Sequence, residues 1–507
     1  MRLRWQLAAM MATGTLFAWS FPPYDLWPCI VIALAPLLSL CGQVSARRLG
    51  LLGAGASLVG SGWLVPWLFD TLRVQFSLGS LGATVAFGGL LLWYAWPWAL
   101  VAWVLAKTTR VAGPVNPWIA TLFLTSVDSL RVAVDPFGLY LPAHALAAEP
   151  RLIQLCTWTG ATGLSLWIYG LTALGVVGVQ HWQRGQRRLA SREGVCLAAW
   201  LALGLAVNVA LLPPLSVAAT TQTLRVAFVQ EAARIDARPG LAVLVAQSVE
   251  LVRAQRPDLL LWPEGTLAGA PAADGEVLLS LWEAMVGTEL TLVTGGLRQV
   301  LRDGRPIAHN SVFAVRGAGV VIGEADKQVL VPFGEYVPEF LRWFGLSETT
   351  LRRHFGAVTL SPGVGLQRPL RGGGVQLGPL ICNEILLPAL AQRASNGGAQ
   401  LLVNLSNDRW ARSAAVARLM VRAAQLRAVE MRLPVVRSAS PGGAAVVDPA
   451  GRVVWSADWL TRVATVVPVV VERGSSLHRR VEPWVQVFLG LAALAVFALG
   501  RHRATAA

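Results

Sequence analysis

The sequence predicts a polytopic α-helical membrane protein, with about eight transmembrane helices and one layered α/β domain outside the cytoplasm. Three observations predict it. The 507-residue chain is 54% hydrophobic and only 14% charged, with a mean hydropathy of +0.54, where a soluble domain carries about 25% charged residues. Long uncharged stretches fill its first part and recur at its end. Basic residues gather in every second loop.

The stretches are Trp5–Tyr24, Leu26–Ala46, Leu49–Phe69, Val74–Ala106, Val111–Val127, Leu152–Trp182, Gly194–Leu224 and Pro483–Gly500. A helix of about 20 apolar residues crosses a bilayer core of about 30 Å. Arg2 and Arg4, Arg47 and Arg48, Lys107 and Arg110, Arg184 to Arg192, and Arg501 with Arg503 mark one side. The intervening loops hold Asp25, Asp70 with Arg73, and Asp128 to Arg151. That alternation places both termini in the cytoplasm and the segment before the last span outside it. Asp128 and Arg131 fall at a span edge, which argues against a transporter. The first stretch also reads as a signal peptide, whose loss would leave the remaining orientation unchanged. The net charge of +15 is then partly topological. No Lys/Arg run with interleaved aromatics points to nucleic acid. The domains expected are residues 1–221 with about seven spans, 222–475 as the domain outside the cytoplasm, and 476–507 as a last helix and short tail.

From Thr223 to Arg473 the pattern changes. Leu224–Gln230, Asp258–Trp262, Leu290–Gly295, Val375–Ile381, Gln400–Leu405, Val435–Ser438 and Ala444–Val447 read as short buried strands. Ser311–Ile322 reads as a hairpin around Arg316–Gly319, and a polar helix runs up to Ala254. Strands alternating with helices make an α/β domain.

Three residues in it carry chemistry. Cys382 is the only cysteine of the domain, so no disulfide forms within it. It is either a small buried hydrophobe or a free reactive thiol. Its place at the end of a strand, in GPLICNEILLP, is one from which a turn presents a nucleophile. His309 and His354 have no motif around them, so a Cys–His pair is the weaker reading. Lys327, in ADKQVLVPFGEYVP, is one of two lysines in an arginine-rich chain. A compact ammonium approaches a developing oxyanion where a planar guanidinium does not fit. Glu264 ends a buried strand, in LLLWPEG. It either faces water or is desolvated enough to serve as a base near neutrality.

WPEG, DKxxLVPFGEYVP and a strand-end C-x-E, in that order, resemble the Glu–Lys–Cys triad of the nitrilase superfamily. With the domain placed before the last of eight spans, the whole chain resembles the apolipoprotein N-acyltransferases of the bacterial cytoplasmic (inner) membrane. The resemblance implies a nitrilase-like αββα sandwich on the periplasmic side. It also implies transfer of an acyl chain from a phospholipid, phosphatidylethanolamine, through a Cys382 thioester to the α-amine of diacylglyceryl-cysteine on a lipoprotein. Glu264 is then the base and Lys327 the oxyanion partner, with no metal or dissociable cofactor. Glu335 and Glu384 match supporting positions. Asn383, Trp410, Trp343 and Phe344 are candidates for the substrate pocket or lid, and Pro338–Phe355 for an arm in the membrane interface. The sequence departs from the family at Asn383, often aromatic there, at Ala411-Arg412 after Trp410, in the histidine-free Ser413–Leu419, at Ser440-Pro441, and in Glu231–Gly240, which lacks a tryptophan. Two other functions fit the residues: a membrane-anchored nitrilase-type amidase using water, and a non-catalytic paralogue that binds lipoproteins.

Overall fold

Proline and glycine placement shapes the apolar part of the chain, as the computed structural model shows. Residues 3–76, 78–109, 114–135, 137–213, 222–230, 240–302, 304–336, 338–339, 360–365, 367–472, 474, 476–481, 484–485, 487–492 and 495 are described. Two units divide them: residues 1–73, 78–212 and 480–507, and residues 74–77 and 213–479.

The first unit is helical: α1 (Leu3–Trp19), α2 (Cys29–Ile32), α3 (Ala35–Leu38), α4 (Ala46–Leu64), α5 (Pro66–Val74), α6 (Ser80–Thr108), α7 (Pro117–Val134), α8 (Pro142–Leu146), α9 (Cys156–Gln183) and α10 (Arg187–Leu211). By length and composition α6, α9 and α10 can cross a membrane, and α4 with α5, bent by 65°, would make a fourth. The expected count of eight is not reached by that measure among the described residues. Leu26–Ala46, expected as one span, holds two four-residue helices instead. Pro36 has no N–H to continue a helix from α2, and it sits instead in the first turn of α3, where that N–H is not needed. The seventh expected span stops at Leu211, because the chain is already a strand from Gln222. Half of the eighth lies outside the described residues. Close helix contact rests on small residues: a Cβ on Gly14 of α1 would meet the Ala56 carbonyl of α4 at 2.3 Å. Asp128 and Arg131 lie within α7, 4.0 Å apart, and the Tyr169 hydroxyl of α9 donates to Asp128 at 2.5 Å. This half-buried cluster lies in the last two turns of α7, at the span edge expected.

The second unit holds two six-stranded sheets. The first comprises β1 (Gln222–Gln230), β2 (Leu259–Leu261), β3 (Thr291–Arg302), β4 (Arg305–Arg316), β5 (Val320–Asp326) and β12 (Val463–Val471), in the order β12-β1-β2-β3-β4-β5. The second comprises β6 (Leu370–Gly372), β7 (Val375–Ile381), β8 (Leu401–Asn407), β9 (Val435–Ser440), β10 (Ala445–Val447) and β11 (Val453–Ser456), in the order β11-β10-β9-β8-β7-β6. Both sheets repeat one plan. Three parallel strands, β1-β2-β3 or β7-β8-β9, carry an antiparallel edge strand on one side and an antiparallel pair on the other.

Strand alternation separates two layers of side chains. Val226, Phe228, Leu259 and Leu261 of one sheet pack against Leu377, Val403, Leu405 and Val436 of the other. On the opposite face of the first sheet, Ala227, Val229, Leu260 and Leu292 pack on α11 (Leu241–Gln255) and α12 (Gly275–Met285). Helices α13 (Pro388–Asn396) and α14 (Ala414–Met431) accompany the second sheet. The result is the expected αββα sandwich.

Candidate active site

The site forms where the parallel strands of both sheets end, the usual ligand position in α/β folds. Glu264 follows β2. Trp262, fully buried, fixes the strand end by donating from Nε1 to Ser248 Oγ of α11 at 2.9 Å. Gly295 on β3 lets the neighbouring strand close on this turn, since a Cβ there would sit 2.8 Å from Glu264 Cα. Lys327 follows β5, and its backbone N–H donates to the Asn310 carbonyl of β4 at 2.8 Å. Cys382 follows β7 with a left-handed φ of 54° and opens a short 3₁₀ turn, Cys382–Leu386. That conformation is uncommon away from glycine and marks a sharply turned backbone at the thiol.

The structure brings Glu264, Lys327 and Glu335 together, with Cys382 close enough to interact with them electrostatically. Lys327 Nζ lies 2.9 Å from Glu335 Oε1 and 3.7 Å from Glu264 Oε1. The lysine side chain is 1% exposed and that of Glu264 9%. Glu335 also accepts from Val331 N at 2.8 Å, so it holds both the ammonium and the loop that carries it. Glu384 is held by backbone donors rather than by the ammonium. It accepts from Gln328 N at 2.6 Å, Val329 N at 3.1 Å and Ile381 N at 2.8 Å. It therefore ties the lysine loop to the cysteine turn. Asn383 is fully buried beside it, with Nδ2 3.5 Å from Val329 O. Trp410 lies on a separate turn, Arg409–Ala411. Trp343, Phe344 and most of the expected arm fall outside the described residues. His309 binds the Ser361 carbonyl through Nδ1 at 2.7 Å.

Asn310 is a residue the sequence reading missed. Its Nδ2 donates to Glu264 Oε1 at 2.7 Å and to Glu335 Oε1 at 2.9 Å. It thus spaces two carboxylates around one ammonium. Asn407 also holds the base: its backbone N–H donates to the second oxygen of Glu264 at 2.8 Å. The available signal for Asn310 was an asparagine at the edge of an apolar run, AHNSVF.

The electrostatics follow from burial. Desolvation raises the Glu264 carboxyl above its usual range, opposed by Lys327 and assisted by Glu335. Burial alone would lower the Lys327 ammonium, but the Cys382, Glu264 and Glu335 charges outweigh it and hold the proton tightly. Burial also raises the Cys382 thiol, with Glu264 adding to the effect and Lys327 opposing it. The three groups act on one another, so an S–H, a strengthened base and a fixed cation share one site.

Burial raises Glu384 to about 7 from an ordinary value near 4.5, against its three backbone donors. The fold therefore favours the protonated form. Its stabilising effect is complete below the ordinary value and is lost as pH rises through about 7. We expect the thermal midpoint in detergent to fall over that window, and Glu384→Gln to remove part of the slope. Identical slopes in parent and variant would contradict the assignment.

Residues 225–474 match the carbon-nitrogen hydrolase family, and residues 13–174 match the apolipoprotein N-acyltransferase N-terminal domain. This chain belongs to the apolipoprotein N-acyltransferase family. A relative of that name from Caulobacter vibrioides is 29% identical over 483 residues, covering 88% of this chain and 85% of its own length. Another from Azotobacter vinelandii is 28% identical over 510 residues, covering 97% and 93%. A solved structure of a cysteine-to-serine mutant of the Nesterenkonia AN1 amidase, from the nitrilase superfamily, is 19% identical. It covers 52% of this chain and 97% of its own, with a TM-score of 0.36. Apolipoprotein N-acyltransferases are acyltransferases within the carbon-nitrogen hydrolase superfamily, and this chain has both parts of the family's architecture.

Proposed function

We propose that this chain transfers an acyl chain from a phospholipid, through a thioester on Cys382, to the α-amine of diacylglyceryl-cysteine at a lipoprotein N-terminus. The observation that carries the reading is the Glu264–Lys327–Glu335 cluster acting on the Cys382 thiol, in a chain that also has the family's helical part.

Glu264 takes the thiol proton as sulfur attacks the ester carbonyl. Lys327, aided by the backbone N–H of residue 383, stabilises the tetrahedral oxyanion. The C–O bond breaks, the lysophospholipid leaves with the proton from Glu264, and the thioester remains. The lipoprotein amine then attacks. Glu264 accepts its proton and returns it to the departing sulfur, which leaves an amide and a free thiol. Lys327 remains an ammonium throughout. Phosphatidylethanolamine is the donor we favour. The alternating basic loops support placement in the inner membrane, with both termini cytoplasmic and the α/β domain periplasmic.

The test is incubation of the full chain with phosphatidylethanolamine carrying a labelled acyl chain. A hydroxylamine-sensitive label on Cys382, chased to an N-terminal diacylglyceryl-cysteine peptide, is the expected result. An unlabelled Cys382 would overturn the reading in favour of hydrolysis of another substrate or of no catalysis.

A further inference from the structure

We infer that Arg437, acting through Asn404, is a positioning residue that holds the backbone of the Cys382 nucleophile in its reactive turn. The inference rests on the proposed role of Cys382.

The observations begin with a polar rung inside an apolar sheet. Leu380, Asn404 and Arg437 are direct register partners on β7, β8 and β9. Asn404 and Arg437 are both fully buried. Asn404 Nδ2 donates to the Leu380 carbonyl at 2.8 Å and to the Cys382 carbonyl at 3.2 Å. Its Oδ1 accepts from Arg437 Nη1 at 3.2 Å. Arg437 Nη2 pairs with Asp408 Oδ2 at 2.5 Å, and the other Asp408 oxygen accepts from Ser406 Oγ at 2.7 Å. The planar guanidinium therefore spans two partners at once, which an ammonium cannot do in the same geometry.

Asn404 needs this partner. A side-chain amide rotates, and only a donor at Oδ1 keeps Nδ2 turned toward the two carbonyls. The carbonyls in question bracket the thiol. A second buried arginine completes the grip: Arg427 of α14 donates to the Leu386 carbonyl at 3.0 Å and pairs with Glu430 at 2.7 Å. The carbonyls of the turn are thus drawn to the back of the site. Arg437 also balances Asp408, whose charge otherwise disfavours the thiolate.

The test compares two conservative variants in the full chain. Arg437→Lys preserves a cation for Asp408 but loses the fork to Asn404. Asn404→Asp preserves the partner of Arg437 but turns the donor into an acceptor facing two carbonyls. The readouts are transfer kinetics and the rate of iodoacetamide alkylation at Cys382, resolved from the other cysteines by peptide mass spectrometry. We expect kcat to fall about 100-fold, with KM within about twofold, and Cys382 alkylation to slow. If the pair only stabilised the fold, Lys would restore both rates to the parent's values, and that result would overturn the inference. Parent-like rates in a folded Asn404→Asp chain would do the same, and this variant decides if Arg437→Lys does not fold. A parent chain that is neither acylated nor alkylated at Cys382 would remove the underlying reading instead.

Discussion

Replacing Cys382 by alanine is expected to abolish acyl transfer, and replacing it by serine to reduce transfer by at least about 10⁴-fold. Alanine has no atom to form the acyl-enzyme. Serine has one, but its proton is bound far more tightly than a thiol's, and the site already disfavours the sulfur anion through burial and Glu264. The ester it would form is also far less open to an amine than a thioester. Neither change adds volume, so the turn with φ of 54° is retained. The measurement is single-turnover transfer of a labelled acyl chain, with thermal melting in detergent as the control. A serine variant that turns over at the parent rate would remove the thioester from the mechanism.

Lys327→Met should lower the rate by about 10³-fold or more, beyond the loss of one oxyanion partner. Lys327 lies between Glu264 and Glu335, and Asn310 donates to both carboxylates. Without the ammonium the two anions face each other, and one takes a proton. The base is then partly disabled together with the oxyanion site. Leaving that charge uncompensated should also cost about 3–5 kcal/mol of stability. The double variant Lys327→Met with Glu335→Gln removes the repulsion. It should recover melting temperature while leaving transfer low, and full recovery of the rate would show that the lysine acts only on structure. Glu264→Gln, which keeps the lysine, is expected to lose about 10²–10⁴-fold.

The residues of the proposed catalytic cluster stood out in the sequence because they break local composition. Lys327 stands among arginines, Glu264 ends an apolar strand, and Cys382 is the one thiol of its domain. Most strands were legible as short apolar runs between turns. The hairpin at Gly304 was not, because Leu297–Arg302 and Arg305–Ala308 extend past the core and lose their burial pattern. The hairpin expected from Ser311 therefore began one residue after Asn310. Strands β11 and β12 lie late in the chain, and their partly exposed positions blur the alternation. Asn404 and Arg437 sit inside apolar runs, LLVNL and VVRS, where only the register of three strands shows that they meet. In the helical unit, hydropathy alone ran through Pro36, although its missing N–H suits the start of a new helix rather than the middle of a long one.

The site draws Glu264, Asn310, Lys327 and Glu335 from the half of the domain built first, and Cys382, Glu384 and Asn407 from the half built second. A chain still leaving the ribosome thus carries the base and the cation well before the sulfur exists. Domains fold as units, so the newborn protein holds no completed thiol site until synthesis has passed its second sheet and β12, the strand that closes the first.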